Sequence, residues 1–196
     1  MAEHFETPIF PLHTVLFPGG ILPLRVFEPR YTDMISQCLR TGKTFGVCLI
    51  SEGQEVGGNA TTYDVGTMAS IMDWHTRHDG LLGITVRGEE RFNIVKTGHR
   101  PNRLLTAEVE SIDQESQLAV PEEFYPMVDM CREIIDQVAY RYNEQPKHYD
   151  DAAWLGYRLA ELLPIKLSQK QYFLQLTDPI LRLERLFSLL QKLKLK

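Results

Sequence analysis

The strongest constraint on this chain is a change of texture near residue 113. From Ile9 to Ile112, short runs rich in Val, Ile, Thr and Phe are punctuated by Gly, Pro and Asp-Gly, the pattern of strands joined by tight turns. After the polar stretch Asp113-Gln-Glu-Ser-Gln, apolar residues recur at helical spacing and continue to do so. Strands that come first and helices that come later do not alternate as βαβ units. The pattern predicts an α+β chain, with a β-domain over 1–113 and an all-helical domain over 119–196.

Within the first part, Phe45–Ile50 is continuously apolar, the mark of a strand covered on both faces. Val65–Trp74 reads as a strand, and Asp79-Gly80 offers a tight turn into Leu81–Val86. Gly88-Glu89-Glu90 predicts another turn before Arg91–Thr97. Pro101 and Asn102 break that strand, and Leu105, Ala107 and Val109 alternate with polar neighbours. Consecutive antiparallel strands of this kind favour a closed or nearly closed barrel. One helix interrupts them: Pro29 suits a first helical position, Tyr31, Met34, Ile35, Cys38 and Leu39 form its stripe, and Gly42 is a left-handed cap. Glu52–Thr62 reads as a surface loop.

The second part predicts four helices. Phe124, Met127, Val128, Cys131, Ile134, Ile135 and Val138 form a stripe behind Pro121. Beyond the polar stretch Asn143–Tyr149, a helix is capped by Asp150 or Asp151 and ended by Pro164. Ser168 and Gln171 have capping-box spacing for a third. Asp178-Pro179 opens a fourth, with Lys192, Lys194 and Lys196 where positive charge favours the helix dipole.

Charge and cysteine usage exclude several classes of function. The 196 residues carry 26 Asp and Glu against 21 Lys and Arg, a net charge of −5. The excess is shared: residues 1–112 hold 13 acidic and 10 basic side chains, and residues 113–196 hold 13 and 11. Neither half resembles a polyanion trap, so nucleic acid is disfavoured as a partner. No apolar run approaches the ~18 residues of a membrane span, and the N-terminus has no secretory h-region. Cys38, Cys48 and Cys131 are odd in number and widely spaced, with Cys48 and Cys131 placed as small buried hydrophobes. These features predict a cytoplasmic protein with no membrane partner.

No motif predicts catalysis. Gly42-Lys43-Thr44 resembles the tail of a phosphate-binding loop, but position 37 is Gln rather than Gly. Its helix–loop–strand order is also the reverse of what that site requires. His75 and His78, flanked by Asp73 and Asp79, fall at a hairpin tip where polar residues are expected without a metal. A Gly-x-Ser-x-Gly elbow and a Ser-x-x-Lys pair are both missing. Paired carboxylates at Glu89-Glu90 and Asp150-Asp151 are explained by turns and capping. The basic run Arg87, Arg91, Lys96, Arg100 and Arg103 is the best RNA-binding patch available, although Glu89 and Glu90 interrupt it and Phe92 is its only aromatic. No catalytic residue, metal or cofactor is expected. A hydrolase assembled from distant residues ranks behind RNA binding as an alternative.

The remaining feature is the corner Leu16–Tyr31. Pro18 and Gly19 suit the central positions of a type II turn, and Leu22, Leu24 and Val26 alternate as a strand. Glu28 and Arg30 are placed for a corner ion pair, while Phe27 and Tyr31 are placed to staple the helix to the β-domain. A sharper reading leaves Phe17, Phe27 and Trp74 around an apolar groove open to an extended peptide.

Ordered motifs here and beyond resemble the N-terminal, substrate-binding domain of Lon proteases. They are Phe10-Pro-Leu-His-Thr-Val-Leu-Phe-Pro-Gly19, Leu24-Arg-Val-Phe-Glu-Pro-Arg-Tyr31, Phe45-Gly-Val, Val65-Gly-Thr-Met-Ala, Asp79-Gly80 and Gly88-Glu-Glu-Arg-Phe92. In the helical part Leu159-Ala-Glu-Leu-Leu-Pro164, Lys170-Gln171 and Arg182-Leu-Glu-Arg-Leu186 also fit. The resemblance implies a PUA-like small β-barrel with one inserted helix, followed by a helical bundle, with Pro18, Gly19, Glu28, Arg30, Gly66 and Arg91 as structural positions of the motifs. The module also occurs in cereblon-type proteins. The chain is therefore expected to be a stand-alone substrate-binding domain, without the ATPase and Ser-Lys protease domains, and not an enzyme. Its expected partner is unfolded or degron-bearing client protein, with a separate protease or chaperone as a further partner. Client side chains are expected to bury against Phe17, Phe27, Tyr31 and Trp74, with backbone pairing to an open strand edge.

Overall fold

The computed structural model describes residues 4–55, 57, 60–138, 142 and 145–194, with side chains to residue 192. Parts of the Glu52–Thr62 loop and of the Asn143–Tyr149 stretch, together with Lys196, lie outside the described residues. The chain is α+β and divides into two compact units, residues 1–114 and 115–196.

The first unit carries a mainly antiparallel sheet and one helix. Its strands are β1 (His4–Leu12), β2 (Ile21–Val26), β3 (Phe45–Glu52), β4 (Thr61–Thr62), β5 (Val65–Thr76), β6 (Leu82–His99) and β7 (Leu105–Ser111). The helix α1 (Pro29–Thr41) starts at its proline and ends at Gly42, whose φ is 67°. Strand neighbours run β1-β7-β6-β5-β3-β4, and β1 also pairs with β3 in parallel, so the path from β1 returns to β1. Strand β2 lies off this path and pairs only with the first part of β6.

Successive side chains of a strand point to opposite faces, and here both faces are covered. Ile9, Cys48 and Met68 enter one core with Phe92, Ala107 and Val109. Their chain neighbours Phe10, Val47 and Ala69 enter a second core with Tyr31, Met34, Ile35 and Cys38 of α1. This is why Phe45–Ile50 has no polar alternation. The parallel β1–β3 pair and the two cores bring remote segments together, which no local pattern encodes.

One strand departs from the sequence expectation. Strand β6 runs from Leu82 to His99 without a turn. At Gly88-Glu89-Glu90 the pairing with β5 advances three residues against two, from Gly88 opposite Ala69 to Arg91 opposite Thr67. The three residues form a bulge, which absorbs an extra residue and keeps the strand going.

In the second unit, a 3-10 turn (Glu122–Phe124) leads into α2 (Tyr125–Gln137), followed by α3 (Ala152–Leu162), α4 (Leu167–Gln175) and α5 (Pro179–Lys194). Asp151 caps α3 through its carboxylate, which accepts from the Ala153 N–H at 3.1 Å. Asp178 does the same for α5 at Ile180 and Leu181, at 2.9 and 3.0 Å. Helix α4 begins earlier than Ser168-x-x-Gln171 predicts. Gln169 Oε1 accepts from the Lys166 N–H at 3.1 Å, while Gln171 is buried and occupied as a core residue.

The polar stretch after Asp113 is not all linker. The Glu115 carboxylate is buried against the fully buried guanidinium of Arg182, with Nη1 donating to Oε2 at 2.7 Å. Arg182 also donates to the Phe173 carbonyl at 3.0 Å and lies 4.1 Å from the centre of the Tyr157 ring. Tyr157 donates to the same carboxylate at 2.6 Å. A residue of the polar stretch here completes a buried charge pair, and that pairing offsets the cost of taking the charge out of water.

Candidate functional site

The corner and the β5–β6 hairpin position the four aromatics very differently. Gly20 donates to the Phe17 carbonyl at 2.8 Å across Pro18 and Gly19, and Gly19 has φ 70°, the geometry of a type II turn. This turn lies directly on β6. Gly19 N–H donates to the Gly88 carbonyl at 2.7 Å, and Gly88 N–H donates to the Gly20 carbonyl at 2.9 Å. A Cβ at Gly88 would come within 2.1 Å of the Phe17 carbonyl oxygen, so only glycine admits the contact. The hydroxyl of buried Thr67 donates to the Leu16 carbonyl at 2.6 Å and closes the corner from β5.

Phe17 is accordingly 0% exposed and Tyr31 3%. Tyr31 stacks on Phe10 with centroids 4.1 Å apart, and the Arg30 guanidinium sits 4.6 Å from its ring centre. Burial pushes the Tyr31 phenol up to about 12, although nearby Arg30 opposes the shift. Both rings are sealed in the core, so neither contacts a peptide. This corrects the expectation that Phe17 lines a groove with Phe27 and Trp74, and that Tyr31 joins them as a client contact.

Phe27 and Trp74 are the opposite case, 52% and 58% exposed. Leu24, Ile84 and Trp74 form one cross-strand row over β2, β6 and β5, and Val26, Leu82 and Thr76 form the next. Directly opposed residues share a face, so Trp74 continues the face of buried Ile84. It is exposed because β5 is the outermost strand of that row. Phe27, which follows Val26, lies at the same end of the sheet, with β6 between the two strands. Between Ile71 and Asp73 the register slips by one, and the extra residue Met72 is 48% exposed. Sequence reading missed Met72 because alternation locates a face but not a bulge. Strand β3 pairs with β5 only at Thr67–Ala69, so Ser70–Thr76 has β6 on one side and no other strand among the described residues.

The other sequence-derived positions are structural or separate. Glu28 and Arg30 form the corner ion pair at 2.9 Å, and Arg30 also donates to the Arg103 carbonyl at 3.0 Å. A Cβ at Gly66 would sit 2.6 Å from Phe92 Cζ, so this glycine makes room for the ring. Arg91 is 3% exposed, so the centre of the basic run weighed for RNA binding is buried. His75 packs over Gly83, to which it is paired. Asp79 at the hairpin tip accepts from the Leu81 N–H at 3.1 Å, which holds its carboxyl below the usual range. No group of three or more His, Cys, Asp or Glu suited to a metal occurs among the described residues. Burial pushes all three thiols up, Cys131 to about 12, which is the reverse of an activated nucleophile. No helix among the described residues is long and apolar enough to cross a membrane.

Comparison with known proteins places this architecture. Residues 6–192 match the model of the family described as the ATP-dependent protease La (LON) substrate-binding domain. The Lon protease of Vibrio parahaemolyticus is 27% identical over 197 residues, covering 93% of this chain and 24% of that protein. The Lon protease of Escherichia coli K12 is 26% identical, covering 97% and 25% respectively. The chain thus spans about a quarter of the length of these curated relatives. The crystal structure of a Lon N-terminal domain protein from Xanthomonas campestris is 36% identical, with TM-score 0.79, over 94% of this chain and 98% of that one. The N-terminal domain of Mycobacterium avium complex Lon protease shares the fold at 17% identity and TM-score 0.66, over 94% and 97%. A match over nearly the whole length, in sequence and in fold, makes this chain a member of the LON substrate-binding domain family.

Proposed function

We propose that the chain is a non-enzymatic protein-interaction module that binds exposed apolar, extended segments of unfolded or degron-bearing client protein. The observation that carries this reading is the exposed pair Met72 and Trp74 on the half-open edge Ser70–Thr76, with exposed Phe27 at the same end of the sheet across β6. Client side chains would bury against these three residues, and client backbone would add to the β5 edge. Burying an aromatic contributes roughly 2 kcal/mol, offset by the cost of ordering the segment, which puts affinity in the micromolar range. Family membership supports the role in substrate binding. A separate protease or chaperone would take the client onward. We read the closed strand path as a PUA-like barrel, and residues 1–113 and 119–196 as domains.

The test is fluorescence anisotropy of a labelled, permanently unfolded client, carboxymethylated ribonuclease A. Saturable micromolar binding is expected, weakened about tenfold or more by Phe27→Ser with Trp74→Ser, since each 1.4 kcal/mol is tenfold. Absence of saturable binding overturns the proposal.

A further inference from the structure

A second feature of the first unit is independent of the exposed aromatics. A cavity of about 390 Å3 opens where the start of β1, the end of α1 and Arg100 meet. Its floor is apolar and buried: Met34 and Cys38 from α1 and Met68 from β5. Phe5 and Pro8 of β1 form a wall. Strand β3 begins only at Phe45, so this part of β1 pairs with β7 alone and leaves the space unfilled. The volume falls within the range of about 300–1,000 Å3 typical of small-molecule sites.

The rim is polar and charged. Lys43, which the sequence offered as a phosphate-loop tail, and Arg100, which it offered for RNA, stand here together with Glu6. Two cations against one carboxylate leave a single positive charge in excess, the complement of a monoanion. Arg100 donates to the neutral Gln37 amide oxygen at a long 3.3 Å, and neither cation has an ion-pair partner among the described residues. The Arg100 charge is felt at the floor, where it opposes the upward shift that burial imposes on the Cys38 thiol. Thr41 and Gly42 bring the C-terminal end of α1 to the same rim. The partial negative charge of a helix C-terminus disfavours a dianion such as phosphate more than a single carboxylate.

We propose that this cavity binds a small amphiphilic monocarboxylate, its apolar tail on Met34, Cys38 and Met68 and its carboxylate between Lys43 and Arg100. The same chemistry is offered by a free carboxylic acid and by the C-terminal residue of a polypeptide. Either source fills the site without involving Trp74.

The experiment titrates the full chain, with methyl-labelled methionine, against octanoate and octanamide, and against an acetylated tripeptide ending in Leu as free acid and as amide. At least one acid is expected to bind saturably and shift the Met34 and Met68 methyls, with its amide about tenfold weaker for loss of the charge-assisted bonds. Binding by octanoate alone assigns a free acid, binding by the peptide acid alone assigns a chain end, and binding by both supports the shared chemistry. Lys43→Gln with Arg100→Gln should bring acid down to the level of amide at unchanged melting temperature, and Trp74→Ala should alter none of it. If neither acid shifts those methyls, if acid and amide bind alike, or if the double variant binds as before, the proposal is overturned.

Discussion

Phe17 and Trp74 both lie against β6, the first at Gly88 and the second opposite Ile84, yet their exposures are 0% and 58%. The difference comes from their neighbours. At Gly88 a turn from before β2 lands on the strand, with two backbone hydrogen bonds and a side chain that fills the core. At Ile84 the row ends on β5, and an indole that continues a buried face meets solvent. The same residue class thus fills the core in one region and stands in solvent in the other.

The largest test of that contrast is Phe17→Ala. Truncating a fully buried aromatic should cost about 3–5 kcal/mol in urea unfolding. The variant, where folded, should bind unfolded client as the parent does. Loss of binding from a folded Phe17→Ala protein would return Phe17 to the site.

This contrast also marks what was legible in the sequence. Helix α1 was readable from Pro29 to Gly42 because stripe, start and cap are all local signals. The change from strands to helices was readable for the same reason. The packing of Tyr31 on the β-domain was readable as a staple. The burial of Phe17 was not, because Gly88, which seals it, lies on a strand whose proximity depends on pairing far along the chain. The Gly88-Glu89-Glu90 bulge mimics a turn in composition, and Glu115 sits in a polar stretch whose buried partner, Arg182, lies 67 residues further along the chain. Lys43 and Arg100 were each noticed for a different chemistry, since nothing local shows that they share a rim.

Trp74→Ala is the converse variant. Its stability should stay within about 0.5 kcal/mol of the parent, as for an exposed position. Its affinity for carboxymethylated ribonuclease A should fall about tenfold, the effect of removing an aromatic anchor worth at least 1.4 kcal/mol. A stability loss comparable to that of Phe17→Ala would erase the distinction between the two regions.

A further test separates Tyr31 from a binding role through pH. Its phenol is pushed from an ordinary 10.0 up to about 12 by burial. The neutral form is favoured in the folded state, so this contribution to stability is fully present below pH 10 and is lost as pH rises towards 12. Tyr31→Phe should be at least as stable as the parent at neutral pH, because the hydroxyl is buried without a hydrogen-bond partner among the described residues. It should therefore also lose less stability between pH 10 and 12. Identical alkaline profiles for the two proteins would place the hydroxyl in solvent.

The claim that Trp74 is the contact residue is tested most directly by its own fluorescence. The chain has two tryptophans, so Trp154→Phe leaves Trp74 as the sole emitter, and ribonuclease A contributes none. Saturating carboxymethylated ribonuclease A should shift the emission to shorter wavelength and shield it from iodide quenching. Saturable binding with unchanged emission and unchanged quenching would contradict the account.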